Sequence, residues 1–235
     1  MKTFRNLILA MLPLLTLAPL QAQITETYSY TNLNLVIPDG SSSGLAQAPI
    51  ISGSTISSIT DVRFLLNLGA LEDADNAFNG DLYLYLQHGS ALSVLLNRPG
   101  VTGSNPFGYG DNGMVVTFAD SAANGDIHNY QNLGIPPEGS PLYGVWQPDG
   151  RTADPNSVTD ASVRSAFLHV FDGMGANGQW TVFVADLSTG GLVRLNSFSI
   201  QITGMPVPEP GSVALLTLGA ALLVKARRKI QRRAH

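Results

Sequence analysis

The 235-residue chain has no cysteine. That absence removes disulfides, thiol nucleophiles and cysteine-built zinc sites, so stability must come from packing, hydrogen bonds or a bound metal. Lysine is nearly as scarce. Lys2 lies at the amino end and Lys225 and Lys229 near the carboxyl end, so residues between the two hydrophobic ends contain none. Five arginines (Arg63, Arg98, Arg151, Arg164 and Arg194) face sixteen of the seventeen acids there, all but Glu209, for a net charge of about -11. Such a surface repels nucleic acid and anionic lipid, and nucleic-acid binding is excluded as a function. A long apolar run is missing too. From Gly211 to Val224 the run has 14 residues, whereas a bilayer-spanning helix takes about 20.

What is present at the amino end is MKTFRNLILAMLPLLTLAPLQAQ. Lys2 and Arg5 supply a positive start, Leu7 to Leu17 an apolar stretch, and Leu20-Gln21-Ala22 a small-residue cleavage site. This is the pattern of a secretory signal peptide cut after Ala22. Pro13 and Pro19 would interrupt an amphipathic helix over the same residues. The expected organisation is a signal peptide over 1–22, a strand and loop over 23–55 that belongs to or leads into a sandwich, a β-sandwich over 56–204, and a tail over 205–235.

The body reads as strands and turns. In DLYLYL (81–86) Leu82, Leu84 and Leu86 alternate with Tyr83 and Tyr85. In WTVFVA (180–185) Trp180, Val182 and Val184 alternate with Thr181, Phe183 and Ala185. In NSFSIQIT (196–203) Phe198, Ile200 and Ile202 form one face. Period two marks half-buried strands. Further strands are expected at 28–37, 59–68, 92–96, 114–118 and 166–171, and one short helix at 154–166. Clusters such as PDGSSSG, FNGD, QPDG and GANG supply turn residues between them. The expected fold class is all-β, a jelly-roll β-sandwich.

Several motifs fail on context. GMGANG (173–178) and GYGDNG (108–113) fit G-x-G-x-x-G, but each runs into a strand rather than a helix whose N-terminus would hold a pyrophosphate. GSSSG (40–44) fits the nucleophile elbow but sits in a small polar loop with no helix after it. His88, His128 and His169 have no metal-ligand spacing, and His169 is expected in the 166–171 strand. The carboxylates Glu72, Asp73, Asp75 and Asp81, with Asn76, gather within ten residues. Hard oxygen donors of this kind suit calcium, and Asp73, Asp75 and Asp81 are its candidates, against a solvated acidic loop as the alternative. Tyr83 and Tyr85 either stack on sugars or pack on the second sheet, and packing is the expectation.

Two stretches carry a family resemblance. NGDLYLYLQHGSALSVLLNRPG (79–100) and FDGMGANGQWTVFVADLSTGGLVRLNSFSIQITG (171–204) resemble the P domain (P/Homo B) of subtilisin-like proprotein convertases, above all at Gly80-Asp81-Leu82 and Gly178-Gln179-Trp180-Thr181. That resemblance implies a jelly roll that accompanies a catalytic domain, and the roughly 35 residues after Ala22 are too few to hold one. Asp81 and Asp186 match aspartates of its pattern. The tail PVPEPGSVALLTLGAALLVKARRKIQRRAH resembles the PEP-CTERM sorting signal of exported bacterial proteins: Pro208, Glu209 and Pro210 match the motif, Ser212 to Val224 its apolar segment, and Lys225, Arg227, Arg228 and Lys229 open its basic end. The resemblance implies a membrane-embedded exosortase that recognises and removes the tail, passage through the inner membrane of a Gram-negative-type bacterium, and delivery to the cell surface or extracellular matrix. Pro208 and Pro210 keep the motif extended, and the basic cluster holds the C-terminus on the cytoplasmic side. The functional expectation is a non-enzymatic exported module with a structural or binding role beside exopolysaccharide. A carbohydrate-binding module is its specific form, and a secreted hydrolase with an unrecognised site is the alternative.

Overall fold

Leu82, Leu84 and Leu86 all turn inward and are fully buried, and so are Trp180, Val182 and Val184 of the neighbouring strand. The computed structural model describes residues 22–70, 76–137, 139–207 and 218–227. Among these, the strands are β1 (Ile24–Tyr30), β2 (Leu35–Val36), β3 (Ser41–Gln47), β4 (Ile50–Ile51), β5 (Ile56–Ala70), β6 (Leu82–His88), β7 (Ala91–Asn97), β8 (Met114–Phe118), β9 (Leu142–Trp146), β10 (Gly178–Asp186) and β11 (Val193–Pro206). They form two sheets. One has the order β1-β11-β5-β8-β9 with β2 also on β11, and the other the order β3-β10-β6-β7 with β4 also on β10. Every pairing is antiparallel except β8 with β9. The result is an all-β sandwich, as the alternation implies, and β1 to β4 place the 23–55 stretch in both sheets.

The core lies between the inner faces. Val62, Phe64, Leu66 and Leu68 of β5, Phe198, Ile200 and Ile202 of β11, and Met114, Val116 and Phe118 of β8 meet the leucines of β6 and the valines of β10. Each fully buried side chain of this size contributes about 1.5–3 kcal/mol of transfer free energy, so the period-two pattern selects the fold.

Four local expectations are corrected. The 28–37 strand begins at Ile24 and stops at Tyr30, because Asn32 and Asn34 adopt positive φ and break the run before β2. The GSSSG loop is the start of edge strand β3, with Ser41 paired to Asp186. Residues 166–171 are no strand: Leu168–Phe171 form a 3-10 turn, because the Asp120 carboxylate accepts the backbone N–H groups of Leu168 and His169. His169, on that turn, is exposed beside Asp120. The 154–166 stretch makes turns instead of a helix, since the Asp154 side chain takes the Asn156 amide and competes with helical bonding.

Tyr83 and Tyr85 do not pack on the second sheet. They lie on the outer face of their own, where Tyr85 stacks on Phe183 at 5.0 Å and Tyr83 stands edge-on to both rings. A side chain at Gly44 would strike the Phe183 ring, so that ring lies flat on β3. All three aromatics are half-buried.

Candidate functional site

The 15-residue strand β5 runs from one pole of the sandwich to the other. At 3.2–3.4 Å per residue it spans roughly 45 Å. At its Ala70 end the 98–113 loop and the 131–137 segment with Gly139 flank an open cavity of about 640 Å³ lined by Asn105, Tyr109, Asp111, Gln131, Ile135 and Pro136 among others. This is the distal pole.

The 98–113 loop is glycine- and proline-rich but well fastened. Tyr109 N–H donates to the Pro99 carbonyl at 2.9 Å, and Asn105 Nδ2 donates to the Gly100 and Gly108 carbonyls at 3.1 and 2.9 Å. Gly80 N–H donates to the Tyr109 carbonyl at 2.8 Å. A side chain at Gly80 would run into the Phe107 carbonyl and the Tyr109 amide, which explains glycine at that position. Arg98 closes the base of the loop: Nε donates to the Gly80 carbonyl at 3.1 Å and Nη2 to that of Pro106 at 3.3 Å. Fastened in this way, the loop holds Phe107 with 78% of its surface exposed.

The cavity floor is polar. The buried Asp111 carboxylate accepts from Tyr130 Oη at 2.8 Å, Gln131 Nε2 at 2.6 Å and Gly139 N at 3.3 Å. Burial foremost, and the Asp111 charge with it, push the Tyr130 phenol far above its ordinary range, although Asn79 donates to its oxygen. The phenol therefore stays protonated and donates to Asp111. Leu133 and Ile135, 55% and 41% exposed, put apolar surface on the neighbouring loop. An apolar rim over a carboxylate, an amide and a tyrosine ring suits a ligand with both C–H faces and hydroxyls.

Of the calcium candidates, Asp81 falls beside this pole. Asp73 and Asp75 lie outside the described residues. Asp81 is half-buried, 3.8 Å from Arg98 Nη2, and burial raises its carboxyl above the ordinary value against the pull of Ser188 and Arg98. Among the described residues, no group of three or more His, Asp or Glu side chains is placed to hold an ion.

Of the processing candidates, Ala22 falls at the opposite pole. Ala22 is exposed, two residues before β1, and suits a cleavage site there. Pro208, Glu209, Pro210, Arg228 and Lys229 lie outside the described residues. Lys225 and Arg227 are exposed on a helix over 218–227, and among the described residues no helix is long and apolar enough to cross a membrane.

Sequence reasoning does not single out Phe107, Tyr109, Asp111 or Gln131. The one signal was two aromatics, Phe107 and Tyr109, inside a loop of Gly, Asn and Pro; Tyr109 packs on Tyr130 at 4.6 Å and on the core, and Phe107 is the exposed one.

Residues 206–229 match the family model of the PEP-CTERM protein-sorting motif. The chain is thus an exported protein carrying a surface-sorting signal, and the motif implies processing by an exosortase. No curated protein matches. Two crystal structures of a serine protease from Aeromonas sobria, one of them with its chaperone, are similar at 16% identity with TM-scores of 0.41 and 0.42, covering 80% of this chain. The chain spans 28% of the length of either.

Proposed function

We propose that the body is a non-enzymatic, P-domain-like binding module that the sorting tail delivers to the cell surface or matrix, where its distal cavity binds glycan chains of the exopolysaccharide. The exposed Phe107 ring, on the same loop whose Tyr109 lines the cavity with Asp111 and Gln131, carries this reading. An aromatic face receives the C–H side of a sugar, while the exposed Gln131 amide, held by the buried Asp111 through Nε2, offers its oxygen to a hydroxyl. Glycan binding also gives a surface-sorted acidic protein a partner that its charge does not repel.

The test is retention on isolated exopolysaccharide in affinity electrophoresis, with the wild type against Phe107→Ala and Gln131→Ala. Both side chains are solvent-exposed, and because Gln131→Ala also removes a donor to Asp111, retention is compared only after each variant's Tm is matched to the wild type. Each contact is expected to weaken retention about tenfold, or roughly 1.4 kcal/mol. Equal retention of all three proteins would overturn the glycan site. Release of new reducing ends by the wild type would favour the hydrolase alternative.

A further inference from the structure

The strand register places both processed ends of the chain side by side. Ile24 of β1 pairs with Gly204 of β11, so Ala22 and Val207 emerge together. Val207 N–H donates to the Thr55 carbonyl at 2.8 Å, and the Ser54 N–H donates to Asn177 Oδ1 at 2.9 Å. Gly178 in turn pairs with Ile51 of β4. The stretches 22–26, 49–58, 175–179 and 204–207 therefore make one pole, at the Ile56 end of β5.

That pole is almost without charge. Its four stretches contain one acid, Glu26, and no lysine or arginine. The Glu26 carboxylate is turned into hydrogen bonds with Thr55 N and Oγ1, at 3.1 and 2.9 Å, and with Tyr28 Oη. His88 is buried there between the carbonyls of Gln179 and Gly175. One rung further out stand Asp61, paired with Arg63 at 3.4 Å, and Asp172. Two apolar side chains project outward instead: Ile50, 71% exposed, and Val207, 58% exposed. The distal pole is the reverse, with Asp39, Asp81, Asp111 and Asp186.

Chain length supplies the partner. From Val207 to Ser212, where the apolar segment begins, five residue steps reach at most about 18 Å. A headgroup layer takes about 5–7 Å of that. The pole is thus held within about 12 Å of the lipid headgroups whenever the tail is inserted. A neutral, partly apolar surface tolerates that distance, whereas the acidic pole would be repelled by anionic lipid.

We propose that this pole is a membrane-facing surface: with the tail inserted, Ile50, the 52–55 turn and Val207 rest against phospholipid headgroups, and the distal cavity points away from the bilayer. The proposal rests on the sorting tail entering the membrane, and the experiment separates the two. Since the chain has no cysteine, single nitroxide labels at Ser52→Cys and Ser104→Cys, both exposed, mark the near and distal poles. The full chain is reconstituted into vesicles of phosphatidylethanolamine and phosphatidylglycerol carrying a nickel-chelating headgroup lipid. Flotation with the vesicles and a several-fold stronger nickel relaxation at position 52 than at 104 are expected. Flotation with equal or reversed relaxation overturns the orientation alone. Failure to float overturns the insertion of the tail and the orientation with it.

Discussion

The His128 ring meets the Asp149 carboxylate at 2.8 Å, with both side chains fully buried. A histidine and an aspartate at that distance also begin a hydrolase triad. Here the other ring nitrogen is taken by the Val101 carbonyl at 3.0 Å, so neither nitrogen is free to act as a general base. The second Asp149 oxygen lies 3.1 Å from Arg151 Nη1, and Arg151 Nη2 lies 2.8 Å from Asp126. Asn97 of β7 adds Nδ2 to the carbonyls of Arg151 and Ala153. Together these groups pin the irregular 147–166 segment to the sheet edge. The dyad is scaffold.

Removing Arg151 tests that role. Arg151→Ala leaves Asp149 with His128 alone and Asp126 with Arg164 alone at 3.6 Å, and removing one partner from a buried ionic network of this kind costs up to about 3–5 kcal/mol. Urea denaturation should show the loss as a lower midpoint with unchanged slope. A change below about 1 kcal/mol, the range of exposed pairs, would mean the network is hydrated.

The outer-face aromatics predict a separation of effects. Phe183→Ala removes a ring that covers Gly44 and stacks on Tyr85, and should cost about 1–3 kcal/mol of stability. Tyr83→Ala and Tyr85→Ala should leave retention on exopolysaccharide unchanged, because these rings spend their faces on one another. Loss of retention in the tyrosine variants, with Phe107→Ala normal, would move the glycan site to this face.

The sandwich was legible because its signals are local. Leu82-Leu84-Leu86 and Phe198-Ile200-Ile202 each state a face in five residues. The 166–171 turn was not legible, since AFLHVF has strand composition and only Asp120, some fifty residues earlier, bends it. The inward or outward direction of Tyr83 and Tyr85 was equally hidden. Alternation says that leucines and tyrosines oppose each other, not that the other sheet is absent on the tyrosine side. The cavity was least legible of all, because Asp111 and Gln131 meet only when two loops close over the Ala70 end of β5. The tail is the contrary case, for its motif, apolar run and basic cluster are contiguous.

Asp186 gives the molecule a pH slope. Its carboxyl is pushed up from 3.8 to about 7, first by burial and then by the charges of Asp81 and Asp39, against the opposing Ser188 amide. The folded state therefore holds this proton more tightly than the unfolded chain. Its contribution to stability is complete below about pH 3.8 and is lost as the pH rises through about 7. Asp186→Asn keeps an acceptor for Ser188 and removes the charge, so it should raise Tm at pH 8 by an amount on the order of 1 kcal/mol in stability. At pH 4 it should change little. Melting curves across that range in a chelating buffer decide the matter: an equal slope in wild type and variant would remove Asp186 as its source.

Calcium is the remaining expectation for the acidic pole. The Asp39 charge adds to burial in raising the Asp81 carboxyl, and Asp81 and Asp39 together do so for Asp186, with Arg98 as the cation near Asp81. Asp73 and Asp75, outside the described residues, precede Asp81 by eight and six positions in sequence. A divalent ion there would relieve the repulsion and supply the rigidity that disulfides give other exported domains. At a hundredfold excess over Kd it would add about 2.7 kcal/mol. The gain should be larger at pH 8, where Asp186 is ionised, than at pH 5, where it carries its proton. Changing Asp73, Asp75 and Asp81 together to Asn should abolish it. Magnesium, which demands a tighter octahedral shell, should not substitute. An identical Tm in calcium and in chelator at pH 8 would leave the acids as a solvated surface that only keeps this pole away from anionic lipid.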